Sequence, residues 1–197
     1  MSPEQKQKRQ AIFDARHQDQ NAVVELLSRS YVEDSPKDSL IWTYRGHVLT
    51  ELCRYEEADV AFEQALQNAP ETNHHFIWSE KADSFFRRGN FLEAERCWHR
   101  YLQSQPNDCW VLILLARTVW RRGDLALAEQ RLREAIATQG EESDLAWFFL
   151  GGVFVALGQL EEAANCYREA LALSPDYEIA KARLADVETA LQIKQRN

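Results

Sequence analysis

The side chains in this sequence that could do chemistry are five histidines, four cysteines and a doubled Arg-Arg-Gly. His17, His47, His74, His75 and His99 fall in no arrangement with a mechanism attached: there is no H-E-x-x-H, no P-loop and no glycine-rich nucleotide loop. Cys97 stands two residues from His99, but no second pair completes a tetrahedral zinc site. Cys53, Cys97, Cys109 and Cys166 form no C-x-x-C, and in a chain of this length they read as scattered reduced thiols of a cytoplasmic protein. The recurring cations are a stronger pattern. Arg87, Arg88 and Gly89 return as Arg121, Arg122 and Gly123, with Arg117 one helical turn before Arg121. A guanidinium is a planar fork that grips a carboxylate with two hydrogen bonds. The plainer role for cations in a last helical turn is to complement the helix dipole, worth roughly 0.3–1 kcal/mol each. Arg88 and Arg122 are assigned that plainer role, and Arg87, Arg117 and Arg121 remain open between the two.

Composition narrows the classes. Of 197 residues, 45% are hydrophobic and 27% charged, as in an ordinary globular chain. The net charge of −8 argues against nucleic acid, since neutralising phosphates takes a surplus of Lys and Arg. The N-terminal MSPEQKQKRQ is polar with no apolar stretch behind it, so neither signal peptide nor lipid anchor is expected. The longest apolar run, residues 145–158, is too short to cross a bilayer as a helix, and no membrane partner is expected. No cofactor, metal site or catalytic residue is expected, and the chain reads as a non-enzyme.

The elements that would position these residues repeat. Pro36, Pro70, Pro106, Gly140 and Pro175 are spaced by 34, 36, 34 and 35 residues. Trp42, Trp78, Leu112 and Trp147 are spaced by 36, 34 and 35, and so are Ala58, Ala94, Ala128 and Ala163. Three series with one rhythm mark an internal repeat. Within each repeat, positions 4, 8 and 11 share one face of a first helix and positions 20, 24 and 27 one face of a second. Small residues at 8 and 20 let the two backbones approach. Gly89, Gly123 and Gly158 stand between the helices as left-handed C-caps, with Cys53 in that place in the first clear repeat, where the helix end is expected to be less relaxed. Six of the seven glycines occupy positions 8, 15 or 32.

This pattern resembles the tetratricopeptide repeat, a 34-residue helix–turn–helix with W-x2-L-G-x2-Y, A-x3-F and P at fixed places. Trp42, Gly46, Ala58, Phe62, Ala65 and Pro70 match it in residues 39–72. Trp78, Ala82, Phe85, Ala94, Trp98, Tyr101 and Pro106 match in 75–108. The third repeat, 109–142, is the most degenerate, with Leu112, Leu115, Ala116, Val119, Ala128, Leu132 and Ala135. Trp147, Leu150, Gly151, Phe154, Ala163, Tyr167, Ala170 and Pro175 match in 144–177. A degenerate repeat is expected over 5–38, its second helix holding Val23, Val24, Leu26, Leu27 and Tyr31, and a closing helix over 178–194 with Ala180, Leu184, Val187 and Leu191 on one face. The expectation is a single all-α domain over 1–197, an α-solenoid of five helical hairpins and a capping helix.

The resemblance also implies where a ligand lies, since first helices line the concave face of such arrays. The corresponding positions here include Tyr44 and His47 in the first clear repeat, and Glu80, Asp83, Phe86 and Arg87 in the second. The third gives Trp110, Ile113, Arg117, Trp120 and Arg121, and the fourth Phe148 and Phe149. Family members that hold the acidic C-termini of heat-shock chaperones use Lys, Asn and Arg in a carboxylate clamp. Its places are occupied here by Thr43, His47, Glu80, Trp110 and Leu114, so that role is rejected in this register. The fourth repeat's first helix is apolar on nearly every face, and such a helix is normally covered all round. Either the protein's own C-terminal helix and the curvature of the array or a partner's amphipathic segment covers Phe148, Phe149 and Val155. The function expected is therefore a module that binds another polypeptide, a scaffold or adaptor. The alternative is a dedicated chaperone or toxin-neutralising inhibitor holding one client.

Overall fold

A computed structural model describes residues 1–196. Eleven α-helices follow in order: α1 Pro3–His17, α2 Asn21–Asp34, α3 Ser39–Glu51, α4 Tyr55–Asn68, α5 His74–Arg87, α6 Phe91–Leu102, α7 Cys109–Arg121, α8 Leu125–Ala137, α9 Ser143–Ala156, α10 Leu160–Leu173 and α11 Glu178–Arg196. One turn of 3-10 helix, Glu71–Asn73, precedes α5, and no β-strand occurs among the described residues. The chain, read above as one domain, divides by its internal packing into two compact units, Met1–Ser104 and a second from Gln105 onward. In the first unit α1–α2, α3–α4 and α5–α6 are antiparallel hairpins, with α3 also packed on α2 and α5 on both α3 and α4. In the second, α7–α8 and α9–α10 are hairpins, α9 packs on α7 and α8, and α11 closes against α10.

Each hairpin turns in the same way. The chain leaves the first helix through a left-handed residue: Asp19 (φ 52°), Cys53 (58°), Gly89 (78°), Gly123 (94°) and Gly158 (74°). At each one its N–H and the next residue's N–H bond back to carbonyls of the last helical turn; for Cys53 these are Thr50 O at 2.9 Å and, from Arg54 N, Leu49 O at 2.8 Å. That pair of bonds is the Schellman motif. The helix end at Cys53 therefore keeps the same bonding as at the glycines, and the difference lies in the residue's intrinsic reluctance to take positive φ. Side chains at the N-termini complete the helices: Asp38, Asn90, Asp108 and Asp124 each accept a hydrogen bond from a first-turn N–H. Ser2 and Gln5 form a reciprocal capping box on α1.

Packing inside the hairpins is as tight as the small residues imply. A Cβ on Gly46 would lie 2.6 Å from the Phe62 ring, and one on Gly151 would lie 2.7 Å from the Tyr167 ring. Ala58, Ala94, Ala128 and Ala163 are wholly buried. Gly140, in the place of a proline, is where the chain crosses Cys109: a Cβ there would lie 2.7 Å from Cys109 Cβ. In α2, Val24 and Tyr31 are buried and Leu27 half-buried, while Val23 and Leu26 face outward. In α11, Ala180 and Val187 are buried, with Leu184 and Leu191 at the margin.

Two expectations follow for stability. Cys53→Gly should raise the unfolding free energy by about 1 kcal/mol, because the left-handed conformation costs an L-residue roughly that much, and chemical denaturation of the two proteins measures it. Ala94→Leu and Ala163→Leu should each lower it by roughly 1–3 kcal/mol through overpacking. Unchanged midpoints for both would mean that these alanines do not lie where the helices touch.

Candidate functional site

In the first unit the candidate residues form a row of partnered charges across α1, α3 and α5. Arg16 Nη2 lies 3.9 Å from Glu80, which shares a 2.7 Å hydrogen bond with His47 Nδ1. His47 Nε2 is 4.0 Å from Glu51, Arg87 Nη2 is 3.0 Å from Glu51, and Arg87 Nε donates to Asp83 at 2.6 Å. Arg87 is thus engaged on both sides by carboxylates, and the Asp83 hydrogen bond holds its basicity above the ordinary arginine value. Tyr44 is enclosed as well. Phe13 meets it edge-on at 5.5 Å, and the Arg16 guanidinium lies 4.4 Å above its ring. Phe86 packs edge-on against Phe91 at 5.4 Å. Arg88, assigned above to the helix dipole, pairs bidentately with Asp59 on α4 and lies over Phe85. Thr43, one of the clamp places, is buried and bonds back to the Ser39 carbonyl at 2.8 Å.

The second unit is different. α7 and α9 lie side by side and enclose a cavity of about 460 Å³ lined by Arg117, Trp120, Arg121 and Phe149. Arg117 and Arg121 stand one turn apart on α7, and the Arg117 guanidinium lies 5.2 Å above the Phe149 ring. Arg121 is exposed and has no hydrogen bond or ion pair among the described residues. The opposing helix cannot neutralise it, because no charged residue occurs between Asp144 and Glu161. The cavity therefore joins two aromatic walls to a cationic rim that lacks a fixed counter-charge from α9. Trp110, at the start of α7, exposes 43% of its surface, and Val155 near the end of α9 exposes 41%.

Two candidates in this unit do not belong to an open face. Ile113 is wholly buried. α7 packs against both α8 and α9, so its buried arc is wide and takes in a position expected to face a ligand. Phe148 is held by the chain's own aromatics: Phe149 at 5.5 Å, Tyr167 at 5.8 Å and Tyr177, just before α11, at 5.0 Å. Phe148 is thus covered by the chain itself, but through Tyr167 on α10 and Tyr177 in the turn before α11 and not through the expected closing helix, while Phe149 lines the cavity.

Two participants were not singled out from the sequence. Phe13 and Arg16 come from α1; carrying the repeat register back into 5–38 puts them at the positions where His47 and Thr50 stand in the next repeat, so the signal was present. Gly152, the one glycine outside positions 8, 15 and 32, carries the Trp120 ring against it. No group of three or more metal-ligating side chains occurs among the described residues, and no helix there is long and apolar enough to cross a membrane.

Two tetratricopeptide-repeat family models match the chain, over residues 41–72 and 113–178. Human tetratricopeptide repeat protein 7A is 29% identical over 133 residues, 68% of this chain and 15% of that protein. Rat RNA polymerase II-associated protein 3 is 27% identical over 121 residues, 61% of this chain and 18% of that protein. The chain spans less than a fifth of the length of these curated relatives. Among solved structures, the C-terminal part of a repeat-containing protein from Cytophaga hutchinsonii superposes with a TM-score of 0.82 at 15% identity, covering 95% of this chain and 72% of that one. MamA from Desulfovibrio magneticus RS-1 gives 0.78 at 17% identity, covering 90% and 98%. The first repeat domain of Spaghetti, bound to the HSP90 peptide SRMEEVD, gives 0.57 at 26% identity, covering 61% and 95%. The chain belongs to the tetratricopeptide-repeat family, with that family's all-helical solenoid fold.

The thiols offer a direct check on which groups are reachable. Burial pushes the Cys97 thiol up to about 12 and the Cys166 thiol up to about 11, and raises that of Cys109, so near pH 8 all three stay protonated as well as buried. Cys53 is exposed. A thiol reagent such as dithionitrobenzoate should consume one equivalent rapidly in the native protein and none in Cys53→Ser; a second rapid equivalent would contradict the packing around α6, α7 or α10.

Proposed function

We propose that this chain is a polypeptide-binding module whose principal contact is the α7–α9 cavity of the second unit. The observation that carries the reading is the exposed guanidinium of Arg121, without a hydrogen bond or ion pair among the described residues, set between Trp120 and Phe149 opposite a helix that carries no charge after Asp144 in its first turn. An exposed arginine beside two aromatic walls fits a partner segment that brings an apolar side chain together with a carboxylate, and aromatic and arginine anchors are where binding energy usually concentrates. Trp110 and Val155 extend the apolar surface for the rest of such a segment. The family resemblance supports a peptide as ligand, as in the Spaghetti domain bound to an HSP90 peptide. The chemistry here differs from a Lys/Asn/Arg clamp, for Thr43 is buried and Glu80 is an anion already held by His47 and Arg16. The partnered charges of the first unit suit positioning of α1, α3 and α5 more than capture of a ligand. The repeat bounds 5–38, 39–72, 75–108, 109–142 and 144–177, with the capping segment 178–194, are the working units of this proposal. Within it the role of scaffold or adaptor is preferred.

The test begins with affinity capture of partners by the full chain. Variants are then measured for both partner affinity and melting temperature. Trp120→Ala and Phe149→Ala should each weaken binding more than tenfold, about 1.4 kcal/mol. Arg121→Glu should weaken it too, by more at low salt than at high, because the charge is exposed. Glu129→Ala on α8, which disturbs only the 2.9 Å pair with Arg133, should leave affinity unchanged. Variants that lower the melting temperature while affinity stays at the parental value would sink the proposal, since the side chains would then be serving the fold alone.

A further inference from the structure

Gly151 and Gly152 are consecutive in the middle of α9, where each costs the helix about 1 kcal/mol relative to alanine. They serve different neighbours. Gly151 faces Tyr167 in the core between α9 and α10. Gly152 faces α7: a Cβ on it would lie 2.7 Å from Trp120 Cη2, 3.3 Å from Cζ3 and 3.8 Å from Cζ2. The far edge of the indole therefore rests on bare α9 backbone. All three close atoms belong to the six-membered ring of Trp120, whose side chain is one of the four lining the cavity with Arg117, Arg121 and Phe149.

We infer that Gly152 is the specificity-determining position of this cavity: by letting the Trp120 indole lie down against α9, it opens an aromatic-walled space for one large flat side chain next to the guanidinium that takes a carboxylate. This rests on the reading of the cavity as a binding site. The lining supplies two aromatic groups and two guanidiniums, with the Trp120 indole N–H as its one neutral donor and no side-chain acceptor, and the backbone of α7 and α9 is engaged in helix bonds. A peptide group carried into it would find few partners, and unsatisfied polar groups are costly to bury. An aromatic ring with a carboxylate beside it leaves nothing unsatisfied. A methyl group at position 152 would lift the indole edge into that space. The displaced atoms are the tip of a side chain and not core backbone, so the fold should tolerate what the site does not.

N-acetyl-phenylalanine is a minimal probe, carrying one aromatic ring and one carboxylate, with its single amide at the chain end that stays in solvent. It is followed by the Trp120 indole N–H resonance, assigned by its loss in Trp120→Phe. The expected result is a saturable shift, with N-acetyl-phenylalaninamide, which lacks the charge, and acetate, which lacks the ring, each binding at least tenfold more weakly. Gly152→Ala should weaken the full probe at least tenfold with little change in melting temperature. In the Trp120→Phe background, where the ring atoms that the methyl would meet are gone, adding Gly152→Ala should change neither stability nor the residual affinity, the latter read by shifts of the α9 backbone amides. If Gly152→Ala binds the probe as the parent does while Arg121→Ala does not, the inference fails and the cavity reading stands. If Gly152→Ala unfolds the protein in both backgrounds, Gly152 is a helix-packing residue and the inference fails. If Gly152→Ala, Arg121→Ala and Trp120→Ala all bind like the parent, the cavity reading fails with it.

Discussion

Everything in this chain hangs on how closely two helices of a hairpin can approach. The distance is set where a residue with no side chain meets an aromatic ring, Gly46 against Phe62 and Gly151 against Tyr167. It is kept by the left-handed turn that reverses the chain a few residues later. Once the hairpin is that tight, the rest of each helix has little freedom. The face that touches its partner must be small and apolar, and the adjacent face must pack on the next hairpin. Only a narrow strip of the first helix is left for anything else. Asp19 and Cys53 show how strongly the turn is imposed, since both adopt positive φ, with the same pair of backbone bonds as at the glycines, despite carrying side chains.

The strip that remains has two characters. In the first unit it is filled with charges that neutralise one another in sequence, from Arg16 through Glu80, His47 and Glu51 to Arg87 and Asp83. Pairs of this kind, half-buried but still in reach of solvent, contribute little individually, roughly 0–1 kcal/mol for the most exposed of them. As a chain joining α1, α3 and α5 they nevertheless fix which rotamers those side chains take, and Tyr44 is held between Phe13 and Arg16 in the same arrangement. In the second unit the corresponding strip faces a helix that carries no charge between Asp144 and Glu161, so Arg121 has nothing opposite it to satisfy its donors. A chain of net charge −8 thus keeps a local cationic spot where an aromatic cavity opens. Over a screening length of about 8 Å at physiological salt, such a spot acts on groups at contact distance and little beyond.

The helical hairpins and their packing were legible in the sequence because they rest on residues that have few alternatives. Glycine at a left-handed turn, alanine at a helix contact and proline after a helix end recur at fixed intervals, and each type has one dominant physical reason to be there. The candidate site was only half legible. Trp120, Arg121 and Phe149 line the cavity, but Ile113 is buried and Phe148 is covered by Tyr167 and Tyr177, because burial at those positions is decided by neighbouring helices and by a turn before α11. No periodicity within one repeat carries that information. Nor does it reveal that Arg87 would be engaged by Glu51, 36 residues away, so that of the three arginines left open Arg87 is occupied by carboxylates. The α1 residues Phe13 and Arg16 could have been found by carrying the ligand-facing positions back into 5–38, but the polar first helix of that repeat matches the pattern too weakly to draw attention to them.

Gly152 shows why an exception to a repeat pattern is informative. Six glycines have a structural reason that the pattern supplies, and substitution at Gly46, Gly140 or Gly151 would drive a Cβ into a packed side chain. Gly152 has no place in that pattern, and it weakens a helix that already contains a glycine at the preceding position. What stands against it is not the core but the outer edge of one indole at the rim of a cavity. A helix seldom gives up stability where packing does not demand it, and where it does, a functional demand is the usual physical reason. The same argument separates Trp120 from Trp42 and Trp98. Trp42 donates to the Pro36 carbonyl at 2.8 Å, and Trp98 is buried within its unit. Trp120 instead lies across two helices with its edge on bare backbone, beside Arg121, which has no hydrogen bond or ion pair among the described residues.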